Sequence, residues 1–175
     1  MSTQIVCVLG DITRDHSVDA IANAANTSLL GGGGVDGAIH RAAGPELLKE
    51  CRGLGGCRTG EAKITKGYRL PAKYVLHTPG PVWYGGGRNE EELLASCYLS
   101  CLCLASEHGC KTVAFPSIST GVYHFPLEKA APIAIGTIAV YLEKHPEIEL
   151  VRMVCFDVYT KEAYAAALKA LEAAE

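Results

Sequence analysis

Short apolar runs alternate with segments of helical periodicity along this chain, and this alternation limits the folds open to it. The helical patterns are DGAIHRAAG, PELLKEC, residues 89–108, LEKAAPIAIGTIAVYLEKH and KEAYAAALKALEAA. The strand-like runs are QIVCVL (4–9), VDAIA (18–22), AKITKGY, KYVLHTPG, TVAFP and ELVRMVCFD. Such alternation predicts an α/β fold, and nearly continuous apolar strands predict a sheet that is covered on both faces. We expect Pro132 to kink the fourth helix.

The size and charge of the chain exclude several classes of protein. It has 175 residues, of which 49% are hydrophobic, so we expect a single domain over residues 1–175. Non-specific nucleic-acid binders usually carry a basic surplus, whereas the net charge here is −3. The sequence shows neither a signal-peptide pattern nor an apolar run of about 18 residues, which predicts a cytoplasmic protein with no membrane partner.

Eight cysteines are spread along the chain without a CxxC pair and without the paired Cys/His spacing of a zinc site. We therefore expect reduced, mostly buried thiols that act as small apolar residues, and no metal. A metal site and a redox function remain the alternatives.

The stretch NAANTSLLGGGGVDGAIH, residues 23–40, follows the second predicted strand. Four consecutive glycines are costly to order, so their presence suggests that the main chain approaches a ligand closely. Ligands of α/β proteins bind at the carboxyl ends of strands, where GDIT and PSISTGVYHFP are also expected. Loops of this kind expose main-chain N–H groups that bind anions, and two of them suit a diphosphate.

A dinucleotide-binding fingerprint is the competing interpretation of this loop. Gly32, Gly34 and Gly37 match G-x-G-x-x-G, but the fingerprint belongs directly after the first strand, with an acidic residue about 20 positions later. Here position 57 is a cysteine and the run follows the second strand, which disfavours a nicotinamide enzyme. The second glycine run, WYGGGRNEE, lacks the GK[ST] ending of a P-loop and is interpreted as a connection only.

Five motifs occur together in order: GDIT, NAAN, GGGGVDGAIH, LPAKYVLHTPGP and FPSISTGVY. From about residue 4 to residue 170 the chain resembles the macrodomain family, in the MacroD-type branch that includes bacterial O-acetyl-ADP-ribose deacetylases. The resemblance implies a three-layer α/β/α fold with a mixed central sheet and a ligand, ADP-ribose. In this branch it implies a hydrolase that needs no cofactor and removes ADP-ribose from acidic side chains or acetyl from O-acetyl-ADP-ribose.

The same resemblance implies roles for individual residues. Asp11, beside the main chain of Ile12, would bind adenine, although a turn or cap role is the alternative. Phe156 would stack on adenine or else pack in the core. Asn26 would bind the distal ribose, and Asn23 would do similar work or, preferably, fix the loop. The remaining contacts would come mainly from the main chain of Gly33, Gly34, Val35, Ser117, Ser119, Thr120, Gly121, Val122 and Tyr123.

Asp36 is the catalytic residue that the resemblance implies, acting with Asn26. It starts a predicted helix, whose dipole favours the ionised carboxylate, and an ionised carboxylate can act as a general base toward water. Helix N-capping is the alternative role. A reader module that binds ADP-ribose without cleaving it is the alternative function. ADP-ribosylated proteins are the expected partners, and ADP-ribosylated nucleic-acid ends are a further substrate class.

One segment departs from the family pattern. The family usually continues GVYGYP, whereas this chain has GVYHFP, with His124 and Phe125 in place of glycine and tyrosine. If the glycine position has a positive φ, His124 would be modestly strained. We interpret His124 as solvated rather than as a contact to the leaving group, and His40 and His77 as structural.

Overall fold

The computed structural model describes residues 4–174 and forms a mixed sheet with helices on both faces. The strands are β1 (Ile5–Leu9), β2 (Ala20–Ala25), β3 (Lys63–Lys66), β4 (Tyr74–Pro79), β5 (Thr112–Phe115) and β6 (Leu150–Cys155). The helices are α1 (Gly34–Ala43), α2 (Pro45–Arg52), α3 (Glu90–Glu107), α4 (Leu127–Lys144) and α5 (Val158–Ala174). A short 3-10 turn, Ile12–Arg14, follows β1.

The strand order is β1-β6-β5-β2-β4-β3. All neighbouring strands are parallel except β3, which pairs antiparallel with β4. One face of the sheet packs on α1 and α2 through residues such as Ile39 and Leu47. The other face packs on α3, α4 and α5 through residues such as Tyr98, Ile135 and Tyr164. The predicted three-layer α/β/α fold with a mixed central sheet is therefore confirmed.

The predicted elements are present, with shifted ends. Strand β2 starts two residues later than expected and continues to Ala25, while α1 starts at Gly34 rather than at Asp36. Helix α5 begins at Val158, before the predicted KEAY segment. Pro132 lies inside α4 without ending it.

Six of the eight cysteines are buried, Cys7 is half-buried and Cys103 is exposed, which confirms mostly buried thiols. Burial raises the pKa of Cys51 and of Cys97 to about 11, so both remain protonated near neutral pH. Within residues 4–174 no group of three His, Cys, Asp or Glu side chains could hold a metal ion. None of the helices within these residues combines the length and the hydropathy of a membrane-spanning segment.

The parallel strands bring the candidate loops to one edge of the sheet. Strands β1, β6, β5 and β2 are consecutive neighbours and run in the same direction. Their carboxyl ends are followed by Asp11, Phe156, the segment 116–125 and the segment 26–33, in that order across the sheet. Because β2 pairs directly with β5, the glycine-rich loop and the Ser/Thr-rich loop are neighbours.

Candidate functional site

The loop between β2 and α1 is shaped by the side chain of Asn26. Its Nδ2 donates to the carbonyl oxygen of Gly31 (2.8 Å). Its Oδ1 accepts hydrogen bonds from the N–H (3.2 Å) and hydroxyl (2.6 Å) of Ser28 and from the N–H of Leu29 (3.1 Å). The Asn26 side chain thus forms hydrogen bonds within the loop and is half-buried at the protein surface. Any contact with a sugar has to use the second N–H of the amide.

Asp36 lies in the first turn of α1, beside Asn26. Its Oδ1 accepts from Nδ2 of Asn23 at 2.9 Å, and Nε2 of His40, one helical turn later, lies 3.4 Å from the same oxygen. A Cβ placed on Gly32 would lie 3.3 Å from Oδ2 of Asp36 and 3.4 Å from Nδ2 of Asn26. The structure therefore brings the carboxylate and the amide together at the glycine loop. The N-cap of α1 is Gly33, so the capping role considered for Asp36 is wrong.

Burial dominates the electrostatics of Asp36, of which 5% is exposed. It raises the pKa of the carboxyl group above its ordinary value, although the hydrogen bond from Asn23 and the nearby His40 oppose the shift. The sequence predicted that the start of a helix would favour the ionised form. The loss of solvation outweighs the hydrogen bond from Asn23 and the charge of His40 in the net shift, and the effect of the helix start stays a prediction.

Asn23 lies under Asp36 and is fully buried. In addition to the bond with Asp36, its Nδ2 lies 3.1 Å from Nδ1 of His77. A side chain with no exposed surface offers nothing to a ligand, which argues against direct contact and for the positioning role.

The loop after β5 turns its hydroxyl side chains inward. Oγ of Ser117 lies 2.5 Å from Oγ1 of Thr120 and 2.7 Å from the hydroxyl of Tyr164 on α5. Ser119 is buried with a positive φ of 67°. Gly121 and Val122 form the exposed tip, and Tyr123 is half-buried. Because the hydroxyls of Ser117 and Thr120 are engaged in hydrogen bonds and that of Ser119 is buried without a partner, the main chain is the polar surface that the tip presents.

Asp11 lies at the end of β1, where it caps the 3-10 turn that includes Ile12. Its Oδ1 accepts from the N–H (2.9 Å) and hydroxyl (2.7 Å) of Thr13. The hydroxyl bond is the main reason why the pKa of Asp11 lies below its ordinary value. The cap role considered for Asp11 is therefore present, and it leaves Oδ2, 3.8 Å from Nε of Arg14, at the surface. A cavity of about 530 Å³ adjoins this carboxylate and is lined in part by Leu9, Gly10, His16 and Val154.

Phe156 follows β6 at the same edge, and 85% of it is exposed. The alternative that it packs in the core is wrong. An aromatic ring exposed beside the end of β1 is available for stacking on a flat ligand.

The departure at residues 124 and 125 has visible consequences. His124 is exposed and has a φ of 62°, so the conditional prediction of a modestly strained histidine is confirmed. Phe125 is buried and packs against Trp83, with 4.8 Å between ring centroids.

The connection 84–89 has a structural role that the sequence analysis missed. The buried carboxylate of Glu90 accepts hydrogen bonds from the main-chain N–H groups of Tyr84 (2.8 Å), Gly86 (3.0 Å) and Arg88 (2.6 Å). Directly before this loop, the N–H of Trp83 donates to the carbonyl oxygen of Tyr123 at 2.9 Å. Trp83 therefore connects the loop held by Glu90 to the Ser/Thr-rich loop. The sequence feature that could have predicted this role is the glycine-rich segment followed at once by Glu90, because a glycine-rich loop can turn its main-chain N–H groups toward a nearby carboxylate.

Several known proteins are similar to this chain over most of its length. The sequence profile of the Macro domain matches residues 22–134. A Macro domain-containing protein of Lactiplantibacillus plantarum is 62% identical over 96% of this chain and 98% of its own length. An O-acetyl-ADP-ribose deacetylase of Enterobacter cloacae is 53% identical over 94% of this chain and 93% of its own length. The ADP-ribose glycohydrolase MACROD2 of Xenopus laevis is 62% identical over 78% of this chain but only 32% of that protein.

Solved structures show the same fold. A macrodomain of Oceanobacillus iheyensis with ADP superposes with a TM-score of 0.92 at 45% identity, covering 97% of this chain and 92% of the other. A Trypanosoma brucei macrodomain in complex with ADP-ribose superposes with a TM-score of 0.86 at 46% identity, covering 96% of this chain and 69% of the other.

Proposed function

The chain belongs to the macrodomain family, and from that premise we propose that it is an ADP-ribose-binding hydrolase. Its substrates are ADP-ribose esters: it removes ADP-ribose from acidic side chains and deacetylates O-acetyl-ADP-ribose. Relatives at more than half identity that are named deacetylase or glycohydrolase support this assignment, as does a structural neighbour in complex with ADP-ribose.

The arrangement of the loops supports the ligand. The start of α1 at Gly34 and the exposed tip of the Ser/Thr-rich loop lie at neighbouring strand ends. Main-chain N–H groups at a helix start attract a diphosphate without needing lysine or arginine. Nothing occupies the space next to the α-carbons of Gly33 and Gly34, which leaves room for the ligand there. Adenine then extends toward Asp11 and Phe156, and the distal ribose toward Asn26 and Asp36.

The observation that carries hydrolysis, rather than binding alone, is the position of the Asp36 carboxylate. Its Oδ1 is held by Asn23, while Oδ2 points to Gly32 in the loop that covers the distal ribose. Oδ2 accepts a proton from a water molecule as that water attacks the ester carbonyl. Collapse of the tetrahedral intermediate breaks the bond to the ribose oxygen, which takes the proton back from Asp36. The products are a carboxylic acid and ADP-ribose with a free hydroxyl.

A non-catalytic reader is the second candidate, and one observation favours it. Asp36 is almost completely buried within a hydrogen-bonded network, so the carboxylate also has a structural use.

An Asp36→Asn variant separates the two functions. It is assayed beside the wild-type chain on O-acetyl-ADP-ribose and on a protein with glutamate-linked ADP-ribose, with free ADP-ribose titrated by calorimetry. A hydrolase loses about 10²–10⁴-fold in turnover, while its affinity for ADP-ribose stays within a few fold. Glu128→Gln, an acid-to-amide change at an exposed position of α4, is the control. Binding without turnover in the wild-type chain would identify a reader, and no heat with ADP-ribose would refute both functions.

A further inference from the structure

His77 is a buried histidine to which the proposed reaction gives no part. It lies on β4 directly opposite Asn23 of β2 and is fully buried. Its Nδ1 lies 3.1 Å from Nδ2 of Asn23, and its Nε2 lies 2.9 Å from Oγ1 of Thr65 on β3. The imidazole therefore connects the edge strand of the sheet to the amide that contacts Asp36.

The orientation of the Asn23 amide follows from its neighbours. The atom facing Oδ1 of Asp36 at 2.9 Å must be the nitrogen, because the amide oxygen would place one acceptor against another. The same NH₂ group faces Nδ1 of His77. Nδ1 of His77 must therefore accept the second N–H and carries no proton itself.

This requirement fixes the tautomer of His77. A neutral imidazole that accepts through Nδ1 carries its proton on Nε2, and that N–H donates to Oγ1 of Thr65. The hydroxyl of Thr65 donates in turn to the carbonyl oxygen of Lys66 at 3.1 Å. Burial, with a smaller effect from His40, lowers the pKa of His77 to about 3, so the ring is uncharged at neutral pH. Each hydrogen bond from Lys66 to Asp36 thus has a defined donor.

We propose that His77 is a positioning residue that acts on Asp36 through Asn23, an inference that rests on the proposed function. By accepting one N–H of Asn23, the ring directs the other N–H at Oδ1 of Asp36. The carboxylate is then held with Oδ2 at the glycine loop, where it receives the proton of the attacking water. Oδ1 of Asn23 supports this role, because it is buried without a partner. Both N–H groups of the amide are used although its oxygen is not, which indicates that this arrangement serves its donors.

Other titratable groups surround the pair without replacing this contact. Nε2 of His40 on α1 lies 3.4 Å from Oδ1 of Asp36. Sγ of Cys51 on α2 lies 3.8 Å from Nε2 of His77, and burial keeps that thiol protonated. Neither group contacts Nδ1 of His77. Substitutions at position 77 therefore test the link to Asn23.

Two substitutions differ mainly in the acceptor that they leave for Asn23. In His77→Asn, Oδ1 takes the place of Nδ1, whereas His77→Leu leaves no acceptor, and both lose the donor to Thr65. We expect His77→Leu to raise the pKa of Asp36, seen by ¹³C NMR of its carboxyl carbon. We also expect kcat on O-acetyl-ADP-ribose to fall about tenfold with little change in KM. His77→Asn should keep the pKa of Asp36 and the kcat on O-acetyl-ADP-ribose close to the wild-type values.

The proposal is overturned if the two variants lose turnover equally and leave the titration of Asp36 unmoved. If His77→Leu does not fold, the wild-type chain gives the answer. Its ¹⁵N spectrum must show the Nε2–H tautomer of His77 between about pH 5 and 8, and an Nδ1–H tautomer or an imidazolium ion overturns the proposal. Both NMR measurements are independent of turnover. An inactive wild-type chain would refute the proposed hydrolase function, whereas the NMR spectra alone would test the hydrogen bonds between His77, Asn23 and Asp36.

Discussion

Trp83 packs its ring against Phe125, and the segments that carry these two residues come from opposite sides of α3 in the sequence. Their ring centroids are 4.8 Å apart at an angle of 54°. Trp83 precedes the loop that Glu90 holds, and Phe125 ends the loop that offers its main chain at the proposed diphosphate site. The buried carboxylate of Glu90 is thereby connected, through Trp83, to the loop at the proposed diphosphate site.

Replacing Glu90 with glutamine should destabilise the protein at neutral pH and flatten its acid denaturation. Burial alone would raise the pKa of Glu90, but the N–H groups of Tyr84, Arg88 and Gly86 hold it at about 2. A lowered carboxyl pKa stabilises the fold above the ordinary value of 4.5, and this contribution is lost as the pH falls toward 2. Thermal unfolding between pH 7 and 2 measures it. Glu92→Gln, an exposed change in the same turn, should show neither effect.

Asp36 should affect the pH dependence of stability in the opposite direction to Glu90. Its pKa is raised by burial, so folding favours the protonated form, and the fold loses this contribution as the pH rises. We therefore expect Asp36→Asn to increase the melting temperature at pH 7 while lowering turnover by about 10²–10⁴-fold. In the wild-type chain, kcat/KM should decrease on acidification with an apparent pKa above the ordinary value for aspartate. Asp157→Asn is the contrast, because hydrogen bonds from Thr160 lower the pKa of Asp157 and its removal should not stabilise the protein.

The exposed ring of Phe156 should contribute to affinity but not to folding. Phe156→Ala should weaken ADP-ribose binding by about 1–3 kcal/mol, the range observed for stacking between a base and an aromatic side chain. Its melting temperature should stay near the wild-type value, because 85% of the residue is already exposed. Tyr159→Ala removes another exposed ring three positions later. Calorimetry measures the affinity of both variants for ADP-ribose. Equal losses of affinity would contradict stacking of Phe156 on adenine.

Gly37 should tolerate alanine poorly, although it lies inside a helix. A Cβ on Gly37 would collide with the carbonyl oxygen of Gly32, so the glycine loop and α1 have to separate. We expect Gly37→Ala to cost about 1–3 kcal/mol of stability and to weaken ADP-ribose binding, because the displaced loop is part of the proposed ligand site. Gly136→Ala in α4 meets no heavy atom within 4 Å and should be neutral or stabilising by up to about 1 kcal/mol. Urea denaturation of the two variants tests this, and equal stability would contradict it.

The amino-acid sequence determined the layers of this protein and the loops that carry its candidate site. Apolar periodicity is a local property, so strands and helices could be assigned one at a time, and strand ends predicted where ligand loops would lie. The order of motifs around NAAN and GGGGVDG predicted the family. Glu90, by contrast, lies at the start of a predicted helix, and nothing nearby in the sequence shows that the preceding loop folds back onto its carboxylate.

Only the tertiary structure decided how the polar side chains share their hydrogen bonds. Asn23 and Asn26 lie three residues apart in one motif, yet one is buried under Asp36 and the other is at the surface of the loop. Thr65, His77 and Asn23 come from three different strands and meet only because β3, β4 and β2 are neighbours. Burial and long-range contacts set the solvation of a charged group, and therefore the pKa of Asp36, and neither can be obtained from the order of residues along the chain.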